Sequence, residues 1–536
     1  MKNSKIKVIG VTAIFLIIYN YLALIPLNIR YKSNFTFVVF VAVALYFLMT
    51  KDVMEKYPRT IGNVVVDSYK PKKAGMIVIF TAVALLFVNS ISSSPLFFSS
   101  DYQKLIGEVK EEEFTNDFSK IEPSQLPIVD HNLALLLGDK KLGEQRGLGS
   151  EFHVGEFSDI SVKGNLYAVA PLEYNGFFKW LNNEGTPGYI KVNKVTGDVE
   201  LVTEIEGKKL NLEYLPSAFF AKDLKRHAYF NNNMDNRLYN YSFEIDDEGK
   251  PYWIISKTHK TIFLNGGDDV LSVITVDAQN GKVKEYKPED APEWIDMIYP
   301  KDLVLNQLND WGVYVNGFWN TVFGEKDIVR TTSGSRRVFN EGNVYHYTGM
   351  TSVGADESTV GFMFVNTRTK GTTFVGTAGA TEEAAMASAQ GKVQNLGYYA
   401  SFPIPINVND EPTFFVTLKD NKGLIKQYAF VNIKQYSIVG NGETIEKAEN
   451  SYLENIGQEN VLSDDSAIEE ISGRIERIGS NVKDGETTYY IILDNKELYY
   501  GLGSISNEIN VTKANDRVTI KVSNTKIVEF DNLSIK

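Results

Sequence analysis

Three apolar stretches in the first hundred residues, Val8 to Ile29, Phe35 to Met49 and Ala74 to about Ser92, constrain this chain more than any other feature. At 1.5 Å of rise per residue the first and third cross a hydrocarbon core of roughly 30 Å, and the second does so with Asn34 and Thr50 at the interfaces. The pattern predicts three membrane spans. A cleaved signal peptide is the rival for the first stretch, because Lys2, Lys5 and Lys7 precede it. Against that, the run is long, contains Pro26, lacks a small-x-small cleavage site and is soon followed by more apolar sequence. A re-entrant second stretch would reverse the sidedness.

Basic residues set the expected orientation. The N-terminal tail holds three Lys, and the segment from Lys51 to Lys73 adds Lys56, Arg59, Lys70 and Lys72, whereas the turn between the first two stretches has only Arg30 and Lys32. Positive segments stay on the cytoplasmic side, which places everything after the third stretch outside. Residues 1–100 carry 11 basic and 3 acidic side chains, a balance of +8, against 44 basic and 64 acidic in the remainder, a balance of -20. An acidic exposed region repels nucleic acid, so no nucleic-acid partner is expected. No Cys is present, which excludes disulfides, thiol nucleophiles and thiolate metal sites, and suits an exported domain.

Residues 99–127 are polar, with an acidic run Glu111 to Glu113, and are expected to form a stalk or short solvated helix. From Val129 the text becomes short apolar strings separated by Gly, Asn and Asp, a strand-and-turn vocabulary. A pattern then recurs: an aromatic-rich strand, a loop, and an alternating strand ending in an Asn or Asp turn. Tyr167 to Pro171 precedes Gly188 to Val199, and Tyr252 to Ser256 precedes Leu271 to Val283. Looser copies join Tyr345 to Gly349 with Gly361 to Gly371, and Thr413 to Leu418 with Gln427 to Ile433. Gly accepts positive φ in such turns, and Asn or Asp bonds to its own loop backbone. Alternation places Ile190 with Val192, and Val273 with Thr275, on one sheet face. Helices are expected over Ala378 to Gln394, capped by Thr381, over Thr444 to Asn455, and over Leu126 to Leu137.

The order of helix, aromatic strand, loop and a strand ending Val276-Asp277-Ala278-Gln279-Asn280-Gly281-Lys282-Val283 resembles PepSY modules, with Val192 to Val199 a second match. That resemblance implies a curled antiparallel sheet against a helix, and a noncatalytic role in binding or restraining other envelope proteins, often peptidases. It carries over no catalytic residue. The stretch from Asp290 to Asn343 departs from a minimal module. At the C-terminus, five short strands (Ile468 to Ile478, Thr487 to Leu493, Leu498 to Leu502, Asp516 to Val522, Ile527 to Phe530) resemble a small OB-fold barrel. This segment holds 9 basic and 11 acidic residues, so the footprint of nucleic-acid binding is absent. Tyr489, Tyr490, Tyr499 and Tyr500 are expected in core and sheet-face packing rather than base stacking.

The expected fold class is α+β: three transmembrane helices, repeated antiparallel-sheet-plus-helix modules and a small C-terminal β-barrel. The expected boundaries are an anchor at 1–98, a stalk at 99–127, modules at 128–290 and 344–457, an insertion at 291–343, a linker at 458–466 and the barrel at 467–536.

Reaction motifs do not emerge. His131, His153, His227, His259 and His346 follow no metal-ligand spacing, and no phosphate-cradling loop or nucleophile elbow is spelled out, so no metal, cofactor or catalytic residue is expected. Asp246 to Gly249 and Asp268-Asp269 are acidic clusters without the spacing of a calcium loop. The candidate binding residues are aromatic: Phe177, Phe178 and Trp180, with Trp294, Trp311 and Trp319 in the insertion. They serve either as core or as a contact surface for a partner, a glycan or a membrane face. The chain is therefore expected to be a membrane-tethered, extracytoplasmic binding or scaffolding protein, with other envelope proteins or a cell-wall polymer as partner. The alternatives are a wall hydrolase with dispersed carboxylates, betrayed by a carboxylate pair beside Trp180 or Trp311 and Trp319, or a subunit of a membrane assembly or translocation complex.

Overall fold

The computed structural model describes residues 2–50, 54–61, 64–114, 126–340, 342–352, 358–463, 468–483, 486–523 and 525–535. They form two compact units, residues 1–426 with 432–436, and residues 427–431 with 437–536.

The first unit begins with helices α1 (Lys2–Ala23), α2 (Lys32–Thr50) and α3 (Lys73–Ile91). Lys32–Thr50 and the run Lys73–Gln103 are long and apolar enough to cross a membrane, while Ile9–Ala23 is a shorter apolar helix. α1 stops before Pro26, which offers no backbone N–H and disfavours the helical region for its predecessor. α4 (Pro95–Gln103) follows α3 after a three-residue turn, capped by the Ser94 hydroxyl with Pro at its first position.

Three antiparallel meanders hold most of the β structure among the described residues of this unit. α5 (His131–Gly143) and α6 (Leu148–Glu151) lead into the first, whose strands are Asn165–Tyr174, Tyr189–Asn193 and Val199–Val202, with Phe152–Val154 and Ser158–Val162 along one edge; α7 (Phe177–Asn182) lies between its strands. α8 (Leu224–Phe230) precedes the second, Arg237–Ile245, Pro251–Ile262, Gly266–Asp277 and Val283–Tyr286. α9 (Lys301–Val313) and α10 (Asn320–Phe323) precede the third, Asn343–Ser352, Ser358–Asn366 and Thr372–Ala380, flanked by Val329–Thr331 and Arg336–Asn340. α11 (Glu382–Lys392) then leads to the hairpin Ile404–Val408 and Glu411–Lys419.

One turn closes each copy of the repeat. Asn193 Oδ1 accepts from the N–H groups of Val195 and Thr196, Asp277 Oδ1 from Gln279 and Asn280, Asn366 Oδ1 from Arg368 and Thr369, and Asn432 Oδ1 from Gln435. The residue four positions after the Asn or Asp in the first three copies, Gly197, Gly281 or Lys370, has positive φ.

Alternation along the second meander buries both faces. Trp253, Ile255, Ile274 and Val276 join the core beneath α5 and α8, whereas Ile254, Val270 and Val273 pack against Ile295, Ile298 and Leu303. Such two-sided burial explains why Leu271 to Val276 is almost continuously apolar. α9 carries Leu303 toward that layer and Val304 with Leu308 toward Met350, Met363 and Val365 of the third meander.

Several expectations are corrected. The acidic run is neither stalk nor helix: Val109–Glu113 is an edge strand parallel to Thr372 to Gly376, its Glu side chains in solvent, where charge also discourages further edge pairing. Residues 115–125 of the expected stalk lie outside the described residues. The stretch 291–343 is not a separate insertion, because α9 and its strands complete the third meander. The helix expected from Leu126 starts at His131, after Asp130 accepts from the Leu133 N–H at 2.9 Å. The helix expected from Ala378 starts after Thr381, because Gly379 is in a strand whose backbone passes too near Ile433 O for a side chain.

In the second unit, residues 428–431 pair with Val439–Gly442, and α12 (Ile445–Ser463) packs on that strand. Gly440 allows this, since a Cβ there would lie 2.1 Å from Tyr452 N. Residues 458–463, expected as linker, are helical; 464–466 fall outside the described residues. Ile468–Lys483, Glu486–Leu493, Leu498–Leu502, Arg517–Ser523 and Lys526–Asn532 form a closed five-stranded barrel around Ile475, Ile491, Tyr499, Ile520 and Ile527. Tyr499 is core, while Tyr490 and Tyr500 lie side by side on the outside.

Candidate functional site

Two features in the first unit can bind: an aromatic cluster that the sequence half reveals, and a charged cavity that it does not.

α7 begins after Gly176, whose φ of 91° turns the chain sharply out of its strand. Its polar side is fastened to Glu151, which receives Lys179 Nζ at 3.1 Å and Asn183 Nδ2 at 2.9 Å. That leaves Phe177 and Phe178 exposed, with Trp180 half-buried against the core. Phe177 packs edge-on to Phe219 with ring centres 5.0 Å apart, and Trp180 lies 5.5 Å from Phe219 and 5.8 Å from Phe220. Phe178 is 75% exposed and Phe220 59%. Phe220 also has φ of 53°, an uncommon and strained conformation for a bulky residue that holds its ring outward. Phe219 and Phe220 were missed in the sequence; the adjacent Phe pair was the available signal.

The other candidates scatter. Trp294 packs against Tyr252 at 4.9 Å beside the second meander, and Trp311 lies 6.3 Å from Phe374 beside the third. Neither joins the cluster. Trp319 is exposed, stacked on Phe323 at 5.8 Å, close to Gly317, which approaches Ser99 of α4.

The cavity, about 600 Å³ in volume, opens among the first, second and third meanders. Its inner wall is ionic. Asp159 receives Lys194 Nζ at 2.7 Å and stands 3.6 Å from Arg337 Nε. Arg336 donates to the carbonyls of Phe402 at 2.7 Å and Pro127 at 3.2 Å. Asp130 is paired with the buried Lys419. Tyr241, Phe157 and Phe402 supply apolar wall, and the mouth carries Lys301, Asp302, His131 and Glu156.

Burial pushes the Asp159 carboxyl up, but Lys194 and Arg337 overcome this and hold it at about 2. Lys194, Arg336 and Lys419 are all lowered by burial, Lys194 and Lys419 also by the neighbouring Arg336. His346, in the same wall, is bonded to Tyr299 O at 2.8 Å, and burial lowers it to about 4, so it is neutral.

Behind the wall lies a different acid pair. Glu244 accepts from the N–H groups of Asp296 and Met297 at 2.9 and 3.1 Å, and Asp296 accepts from Ser161 N–H. Burial raises Glu244 to about 7, and burial together with Glu244 raises Asp296 well above its ordinary value. The pair is not among the residues around Trp180, Trp311 or Trp319.

No family model matches the chain, and no curated protein matches it. A weak likeness links it to a solved structure, the Trypanosoma rangeli sialidase in complex with sialic acid, at 10% identity and a TM-score of 0.13. The match covers 66% of this chain and 53% of that one, so this chain spans about half its length. A TM-score this low assigns neither fold nor activity.

The remaining sequence candidates have local explanations. Asp246 Oδ1 accepts from the N–H groups of Glu248 and Lys250 in a hairpin turn, Asp268 pairs with Lys260 at 2.8 Å, and Asp269 with Lys370 at 2.9 Å. His227 bonds to Gly281 O and His153 to Asn175.

Proposed function

We propose that this is a membrane-tethered, extracytoplasmic binding protein of the bacterial cell envelope that recognises a protein or an envelope polymer by contact, without catalysis. α1, α2 and α3 serve as three spans, with the N-terminus in the cytoplasm as the basic residues direct.

Seating of the β structure on the helix ends supports the tether. The turn from Ile262 to Gly267 meets the end of α3, where Asn265 Nδ2 donates to Asn89 O at 2.6 Å and Oδ1 at 2.7 Å, and Ser93 Oγ donates to Ile262 O at 3.1 Å. Gly266 makes this approach possible, since a Cβ there would lie 2.4 Å from Tyr102 Oη. From the link between α1 and α2, Tyr31 Oη donates to Thr258 O at 2.7 Å, and Arg30 Nη2 to Phe263 O at 2.7 Å. Trp319 and Phe323, beside α4 where the chain leaves α3, suit the headgroup level at which aromatic rings concentrate.

A helix before each meander, α5, α8 and α9, supports the PepSY-like reading. The barrel order, first, second, third, fifth and fourth strand, with the third and fifth parallel, supports the OB-like reading.

The single observation that carries binding is the exposed face of Phe177, Phe178 and Phe220, backed by the half-buried Trp180 and Phe219, an aromatic surface of the kind that dominates contact energetics. A photocrosslinking residue at Phe178 in intact membranes should trap one reproducible protein or wall polymer. Crosslinks to lipid alone would make the cluster a membrane face, and no adduct would refute the reading.

A further inference from the structure

The buried inner part of the cavity wall, with Lys419 behind it, is short of negative charge. Lys194, Arg336, Arg337 and Lys419 are gathered around two carboxylates, Asp159 and Asp130. Lys194 and Lys419 have side chains only 3% and 1% exposed, so bulk water screens them poorly. Arg336 donates to neutral carbonyls and makes no ion pair among the described residues. Glu244 and Asp296 lie within electrostatic reach of Arg337, but burial raises both and each disfavours the other's charge, so the pair does not carry two full negative charges near neutral pH. Positive charge therefore remains in excess in the buried wall. At the mouth, the exposed Lys301 and Asp302 offset one another, and Glu156, 82% exposed beside His131, is screened by solvent.

Two donors facing this imbalance are wholly or partly unused. Among the described residues, the Arg337 side chain makes no hydrogen bond, only the 3.6 Å ion pair of Nε with Asp159. Asn240 also lines the cavity, at a bulge in Arg237–Ile245 where its φ is 54°, and its Nδ2 is buried with no partner. An unpartnered buried amide donor and a half-used guanidinium in one wall are the groups that recognise an oxyanion.

We infer that the cavity binds a small organic anion, whose carboxylate or phosphate group lies against Arg337 and Asn240 while its body packs on Phe157, Tyr241 and Phe402. The ligand supplies the negative charge that the chain lacks, and about 600 Å³ admits a compact acid rather than a folded domain. The site stands apart from the aromatic cluster and does not depend on the sidedness of the membrane helices.

Thermal unfolding and calorimetric titration of the full chain in detergent, with succinate and inorganic phosphate as probes against chloride at equal ionic strength, test this. At least one oxyanion should raise the unfolding temperature saturably. Arg337→Gln should weaken its affinity at least 10-fold. Asn240→Asp, which the left-handed backbone accepts, supplies the missing charge: it should raise the unfolding temperature of the ligand-free chain and abolish the anion's effect. A succinate-only response assigns a carboxylate ligand and a phosphate-only response a phosphoryl ligand. No saturable shift with either probe, unchanged affinity in both variants, or a less stable ligand-free Asn240→Asp chain would each overturn the proposal.

Discussion

Asp159 and Glu244 sit on neighbouring strands, joined through Ser158, whose hydroxyl meets Ser242 Oγ at 3.0 Å and the Phe243 N–H at 3.1 Å. Both carboxyls are buried, yet Asp159 is held at about 2 and Glu244 rises to about 7. The difference lies in which way each strand presents its acid. Asp159 meets Lys194 and Arg337, while Glu244 meets Asp296 and backbone N–H groups that cannot fully offset the loss of water. Cations are thus concentrated on the cavity side, and the second acid behind them holds its proton far more tightly than an ordinary carboxyl. Burial by itself does not decide the charge state of this wall.

The largest expected effect breaks the Asp159 side of that comparison. Asp159→Asn leaves Lys194 buried without its partner and should destabilise the first unit by about 3–5 kcal/mol in urea denaturation. A loss below about 1 kcal/mol would mean that the ion pair is not maintained in solution.

Next comes the Glu244 side, with the opposite sign in pH. A carboxyl raised in the folded state binds its proton more tightly folded than unfolded, so its contribution is fully present below the unfolded value and is lost as pH rises toward and past about 7. Asp159, depressed to about 2, contributes above its unfolded value and loses that contribution as the solution is acidified. Stability should therefore decline between about pH 4.5 and 7, and Glu244→Gln should flatten the decline by about 2–3 kcal/mol. An unchanged slope would place the pair in contact with water.

Smaller effects sharpen the same contrast. Ser158→Ala removes the hydroxyl that ties the two strands and should cost about 1–2 kcal/mol. Phe178→Ser, on the exposed cluster, should change stability by less than about 0.5 kcal/mol while suppressing the partner crosslink. A large loss of stability there would make the ring structural.

What the sequence disclosed was local. The turns at Asn193, Asp277, Asn366 and Asn432 were legible because a side chain bonding to its own loop needs only a few consecutive residues. The cap at Thr381 has the same origin, with Ala384 as its N–H donor; the like bond from the Lys447 N–H to Thr444 was not read. The barrel strands were legible from short alternation between turns. Phe177, Phe178 and Trp180 form one helical turn, and the structure brings them together. The cavity was hidden because Asp130, Asp159, Lys194, Arg337 and Lys419 come from distant segments, with 289 residues between Asp130 and Lys419. The parallel edge strand was hidden for the same reason, since Val109 pairs with Thr372. Trp294 and Trp311 were named beside Trp180 because composition cannot tell a ring facing solvent from one packed half-buried against a sheet residue, Tyr252 or Phe374.

Sidedness tests the central claim most directly, and the absence of native Cys makes a single introduced thiol specific. In intact cells a membrane-impermeant maleimide should label Lys209→Cys, in the first unit, and should label Lys56→Cys, between the second and third apolar stretches, only after permeabilisation. Labelling of Lys56→Cys with protection of Lys209→Cys, or release of the chain from membranes by carbonate, would contradict a binding region held outside by the N-terminal helices.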